Sequence, residues 1–221
     1  MKRIGLVVIF LLFSQAAFAV ENTGFYIGLS GGYVVPQTMT MSSYNFYAED
    51  WDAKLKNGGM IGVKSGWINP LTKNIMALEF EYNYIFGTDF DNSRVVNEIN
   101  ATLDGTIRIH AFLFNIKARY PNGPVHPYVG IGLGYSFFQV GEVTIRDTDS
   151  PYTEVIYGTS GGGFTYQFVG GVDFDITPNL SLGMGYKYFV ATPSLNSEGT
   201  TFNYDLNYRA SIINAGLTFT F

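Results

Sequence analysis

From residue 25 onward the chain alternates bulky apolar residues with glycine or polar ones, in stretches about ten residues long. Val129-Gly130-Ile131-Gly132-Leu133-Gly134-Tyr135-Ser136-Phe137 is the plainest case. Successive side chains of a β-strand point to opposite faces, so each stretch carries one bulky apolar face and one polar or bare face. Eight such strands are predicted, over 25–35, 59–68, 75–86, 108–120, 129–137, 164–176, 180–189 and 210–221. The third sets Leu78, Phe80 and Tyr82 against Glu79 and Glu81. The fourth sets Phe112, Phe114 and Ile116 against Asn115, Lys117 and Arg119. Ile212 breaks the rule by falling on the polar face of the last strand.

The connections alternate in length. Tight turns rich in Pro, Asn and Gly follow strands two, four and six, whereas 36–58, 87–107, 139–163 and 190–209 are long. Short turns at one end and long loops at the other are the pattern of an outer-membrane barrel. Alternation also suits a soluble barrel with its apolar face inside, and volume separates the two. An eight-stranded interior is only wide enough for side chains to fill it, and the many large apolar groups exceed that space. The apolar face therefore points outward, into lipid, where a closed barrel leaves no backbone group unpaired. The expected fold is all-β, an eight-stranded antiparallel up-and-down transmembrane β-barrel. Trp67, Tyr120, Phe174, Phe219 and Phe221 should mark the lower interface, and Tyr84, Phe86, Tyr186 and Tyr188 the upper one.

The inward face then collects Lys64, Glu79, Glu81, Lys117, Arg119, Asp173, Asp175 and Lys187. Opposite charges in equal number predict a salt-bridged, side-chain-filled lumen, because buried charges persist when paired. Register across the turn at 69–74 places Lys64 within about two residues of Glu79. Such pairs act as plug and scaffold, or as a gate that passes small ions.

Only 14% of residues are charged against 17% aromatic, and cysteine is absent. Stability must come from backbone pairing rather than disulfides. Lys2 and Arg3, an apolar run to Phe13 and Ala17-Phe18-Ala19 read as a signal peptide over 1–19, which leaves 20–221 as the barrel domain.

The long loops carry thirteen acids against five bases, which makes nucleic acid an unsuitable partner. Tyr44, Phe46, Tyr47 and Trp51 cluster in the first loop as candidate recognition residues for a host or envelope protein. Arg108 and His110 share the outward face near the upper rim, as candidate contacts to lipopolysaccharide phosphates. His126 reads as a turn residue between prolines, and Gly161-Gly162-Gly163 as a flexible loop end. No histidine has a serine at the spacing a hydrolase needs, no metal-ligand cluster stands out, and Gly130-x-Gly132-x-Gly134 sits on a strand with no helix following. The chain is therefore expected to be no enzyme and to need no cofactor.

Pro127 to Tyr135, Thr177-Pro178-Asn179-Leu180-Ser181-Leu182 with Gly185-Tyr186-Lys187-Tyr188, and Gly24-Phe25-Tyr26-Ile27-Gly28 resemble strands of the OmpA-like, opacity-type outer-membrane barrels. Phe221 is similar to the aromatic last residue that the barrel-assembly machinery reads in that superfamily. The resemblance spans 24–221 and implies a place in the bacterial outer membrane; the chain is expected to contact its lipid and lipopolysaccharide, to be a monomer and, stopping at the eighth strand, to carry no peptidoglycan-binding domain. The reading of strands, lumen and loops together is a structural and surface-interaction, adhesin-like role, with a narrow passive channel as the alternative and a lipid A-modifying enzyme third.

Overall fold

The computed structural model describes residues 24–37, 39–43, 51–90, 94–96, 99–141, 143–147, 153–156, 159–196 and 203–221. The expected leader and Tyr44, Phe46 and Tyr47 lie outside the described residues, and Trp51 is described through its backbone alone. In chain order the strands are β1 (Gly24–Pro36), β2 (Met39–Ser43), β3 (Trp51–Ala53), β4 (Gly58–Ile68), β5 (Met76–Phe86), β6 (Arg94–Val96), β7 (Ile99–Asp104), β8 (Ile107–Arg119), β9 (Val125–Val140), β10 (Val143–Asp147), β11 (Thr153–Ile156), β12 (Thr159–Thr177), β13 (Leu180–Asn196) and β14 (Asn203–Thr220).

The eight barrel strands follow the order β1-β4-β5-β8-β9-β12-β13-β14, and β1 pairs with β14 to close the cylinder. Every pairing is antiparallel, with Leu29 opposite Leu217 at the seam. Closure leaves the barrel wall without an edge, as hydrocarbon requires. The tight turns and both ends of the barrel chain lie at one rim. Asn69 accepts from Leu71 N–H at 2.9 Å to start the 3-10 turn Pro70–Thr72. Lys73 and Asn74 then take positive φ to reverse the chain. At 177–180 the Thr177 hydroxyl accepts from Leu180 N–H at 3.0 Å.

At the opposite rim, segments expected as loops are largely strand. β9, β12, β13 and β14 overrun their predicted ends, and Gly161-Gly162-Gly163 lies within β12 rather than at a loose loop end. The hairpin β2–β3 pairs onto the upper end of β14. β6, β7, β10 and β11 form a separate four-stranded sheet, in the order β11-β10-β7-β6. Outside the membrane these backbones find their hydrogen bonds in each other.

Polarity along the strands changes sign part-way up. In the lower part of β14, Ile213, Leu217 and Phe219 face outward and are exposed, while Asn214, Gly216 and Thr218 face inward. Above residue 212 the phase flips: Leu206, Tyr208, Ala210 and Ile212 are buried inward, and Asp205 and Arg209 are exposed outward. β8 does the same. Phe112, Phe114 and Ile116 face out below, whereas Ile107, Ile109, Ala111 and Leu113 are buried inward above. Val34, Met60, Ile85, Phe138 and Phe189 add buried inward apolar residues at the same end of β1, β4, β5, β9 and β13. One cylinder thus meets two solvents, lipid below and water above, and each portion turns its apolar side chains away from water. Ile212 marks the crossover on β14 and is no longer an exception.

Candidate functional site: a lumen of two storeys

Bare inward positions make room in the lower storey. The Tyr26 ring lies across Gly66, and the Tyr128 hydroxyl lies across Gly171 and Gly185. A Cβ at Gly132 would collide with the side-chain oxygen of Asn115. The glycine alternation that announces these strands is therefore what lets long ionic and phenolic side chains cross a narrow lumen.

Two buried carboxylates organise this storey. Glu79 takes Lys117 Nζ at 2.6 Å and Lys64 Nζ at 3.9 Å, and accepts from the Tyr26 hydroxyl at 2.9 Å and Asn115 Nδ2 at 3.1 Å. The residue directly opposite Lys64 is Glu81, and Glu79 stands two residues along. Glu81 pairs with Lys187 and accepts from Asn115 Nδ2 at 3.0 Å and Gln167 Nε2 at 2.8 Å. Gln167 also donates to Asn115 Oδ1 at 2.8 Å, which ties the two carboxylate centres together. Lys64 and Lys117 lie over the Tyr26 and Tyr128 rings, at 5.9 and 4.9 Å from their centroids.

Arg119 and Asp173 stand beside that centre. They border an internal chamber of about 30 Å³ together with Tyr26, Lys64, Lys117 and Tyr128. A neighbouring chamber of about 20 Å³ is bordered by Asp173, Lys187 and Asn214. Each has room for one or two waters, at roughly 10–15 Å³ per water by this measure.

At the lower rim the structure corrects the expectation for His126. It belongs to β9, is 2% exposed, and is held from both ring nitrogens. Nδ1 faces the Tyr120 carbonyl at 2.8 Å, and Nε2 faces Asp175 Oδ2 at 2.9 Å. The Ser181 hydroxyl donates to the other oxygen of Asp175 at 2.7 Å. The carboxylate stands between serine and imidazole, so His126 is not placed to take the serine proton as a nucleophile's base must. Proline on either side hid this residue, and the only sequence signal was its parity with Tyr128, Gly130 and Gly132. Asp175 therefore belongs to this rim clasp rather than to the central network.

The upper storey is apolar. Val34, Met60, Ile85, Ile109, Leu113, Phe138, Phe189 and Ile212 are all 1% exposed or less. Tyr208 meets Phe138 and Phe189 edge-on, with ring centroids at 5.7 and 6.1 Å. The expectation of a salt-bridged, side-chain-filled lumen did not include this apolar layer. Its cause is the phase flip: reading only the lipid-facing register assigned Ile109, Leu113 and Phe189 to neither face.

On the outer wall, Arg108 is exposed and His110 half-buried, with the Tyr82 hydroxyl 2.8 Å from Nδ1. Phe221 is exposed at the lower rim, and its N–H bonds to the Phe25 carbonyl at 2.9 Å. Among the described residues no group of acids and histidines is arranged to hold a metal ion.

A closed eight-stranded wall, an outward apolar belt and an ion-paired interior leave one class of environment for the lower portion. Residues 5–221 match the family described as outer membrane protein beta-barrel domain. The chain belongs to this family. It is an outer-membrane β-barrel protein of bacteria. An outer membrane protein of Gluconacetobacter diazotrophicus is 28% identical over 195 residues, which cover 78% of this chain and 48% of that protein. The chain therefore spans about half the length of the curated relative it matches. Among solved structures, neisserial surface protein A is similar at TM-score 0.54 and 16% identity, over 90% of this chain and 98% of that one. OprG of Pseudomonas aeruginosa is similar at TM-score 0.52 and 12% identity, over 91% and 99%. These likenesses show the fold, and what this outer-membrane barrel does must come from its own residues.

Proposed function

We propose that this outer-membrane barrel is a closed structural and surface-interaction protein, which presents its loop face outside the cell and conducts no ions. The apolar upper storey is the observation that carries this reading. Rearranging the ion pairs below opens no route past Phe138, Phe189, Met60 and Tyr208, because an ion crossing that layer loses its hydration without gaining a partner. The upper segments support the second half. Strands extended beyond the membrane and a separate four-stranded sheet give the loops a built scaffold. Their sequence is strongly acidic, which suits a basic protein partner over nucleic acid. Phe221 fits recognition by the assembly machinery.

Planar-bilayer recording and whole-cell binding test the two halves. The wild type and Glu79→Ala should both show near-zero conductance, and conducting steps in either would favour the narrow-channel reading. Cells carrying the barrel should bind basic host-surface proteins, and deletion of 94–104 with 143–156 should abolish that binding. Equal binding by the deleted form would remove the interaction role.

A further inference from the structure

The outer wall carries a second arrangement that the lumen and loops do not use. Three rows of side chains stack on the outward face of β8, β9 and β12. In the top row Arg108 lies opposite Gln139, and Gln139 opposite Ser160. In the next, His110 lies opposite Phe137, and Phe137 opposite Gly162. In the third, Phe112 lies opposite Tyr135, and Tyr135 opposite Phe164. Cross-strand partners share a face, so a band of hydrogen-bond donors sits directly above a band of aromatic rings.

The wall is recessed here. Gly162 contributes no side chain to the middle row, and the Tyr135 ring lies over it. A cleft of about 690 Å³ is bordered by Tyr82, His110, Phe112, Phe137, Gln139 and Ser160. Tyr82 fixes the imidazole through Nδ1 at 2.8 Å and leaves Nε2 as its free ring nitrogen. Arg108 reaches a second cleft of about 520 Å³, where Asp89 is the one carboxylate bordering either recess.

Height decides what meets these groups. On β8, His110 and Arg108 stand ten and twelve residues above Tyr120, the residue that follows the strand's lower end. At about 3.3 Å per residue and a tilt near 40°, they lie about 25 and about 30 Å above the lower aromatic boundary. The apolar band of such barrels is about 25 Å tall, and on β8 the outward face turns from aromatic to polar between Phe112 and His110. The donor row therefore lies at the head-group plane of the outer leaflet, with the rings below it at acyl-chain depth.

We infer that this face is a binding site for a phosphorylated, multi-acyl lipid of the outer leaflet. Arg108 and Gln139 donate to a phosphate, His110 Nε2 and Ser160 contribute from below and beside, and acyl chains lie along Phe112, Phe137 and Phe164. A planar guanidinium suits phosphate oxygens because it donates two parallel bonds. The site is independent of the loop role and of the state of the lumen.

The protein purified from outer membranes in mild detergent tests this, by mass spectrometry of retained lipid and by thermal unfolding with added lipid A. The wild type should retain phosphorylated lipid, and lipid A should raise its Tm. The Arg108→Ala/His110→Ala variant should retain about tenfold less lipid and lose the Tm rise. Arg209→Ala removes an exposed arginine four strands away, on the opposite wall, and should change neither. Dephosphorylated lipid A and inorganic phosphate should each fail to reproduce the rise, which separates an anchored head group from a free anion. Electrophoretic heat-modifiability reports folding, and Arg108→Gln/His110→Gln serves if the alanine variant does not fold. Full retention by the folded double variant, equal loss in Arg209→Ala, or an equal response to dephosphorylated lipid or inorganic phosphate would overturn the site.

Discussion

The lower and upper portions of this barrel share every strand and obey opposite rules. Below the crossover, large apolar side chains face outward and the interior is ionic, with Glu79 and Glu81 satisfied by three lysines, an asparagine and a glutamine. Above it, Asp205 and Arg209 face outward, and the interior is a packed apolar core around Phe138 and Tyr208. Neither rule belongs to the fold. A continuous ladder sets only the two-residue period, and the solvent around each portion selects which phase carries the bulk. Lipid gives a buried polar network its place because an outward charge is worse there. Water restores the ordinary preference for an apolar inside.

The ionic storey should break hardest. Glu79→Ala leaves Lys64 and Lys117 facing each other without their carboxylate, and removing one partner of a buried pair costs about 3–5 kcal/mol. Urea unfolding in lipid vesicles, followed by tryptophan fluorescence, should show a loss of that size. The apolar storey should answer with a cavity instead: Leu113→Ala should cost about 2–5 kcal/mol in the same assay. Unlike the ionic loss, Leu113→Ala should be partly recovered by apolar ligands that fill the space. An outward arginine sharpens the contrast. Leu217→Arg near the lipid midplane should cost about 2–4 kcal/mol, whereas Thr192→Arg, exposed above the crossover, should stay within about 0.5 kcal/mol. Within the ionic storey the milder change is Tyr26→Phe, which removes one hydrogen bond to a buried carboxylate and should cost about 1.5–3 kcal/mol. Similar losses for both arginines would mean that the upper wall is also in lipid.

The lower portion was legible because its signal is redundant. Eight alternating stretches agree in phase, length and turn chemistry, and the charges fall on one parity, so Lys64, Glu79, Glu81, Lys117 and Lys187 could be gathered without coordinates. The neutral members of the network were not legible. Asn115, Gln167 and Tyr26 look like any polar position on an inward face, and only the three-dimensional register shows that they bridge two carboxylates. His126 was hidden by local turn chemistry. The upper storey was present as an unread signal: Ile107, Ile109, Ala111 and Leu113 follow period two, in the phase opposite to Phe112 and Phe114. One phase applied along a whole strand turns such a switch into noise, and Ile212 was its visible trace. The loop strands are short: β6 pairs with the adjacent β7, and β7 with the sequence-distant β10, so their alternation is too brief to read locally.

A nitroxide scan along β14 tests the two-solvent account most directly. Single cysteines can be placed freely in a chain that has none, and labels read accessibility to oxygen, enriched in lipid, against a water-soluble nickel chelate. Labels at 213, 215, 217 and 219 should respond to oxygen, those at 205, 207, 209 and 211 to the nickel chelate, and those at 206, 208, 210 and 212 to neither. If 205–211 instead respond to oxygen while 206–212 meet the chelate, the barrel keeps one phase throughout and the account is wrong.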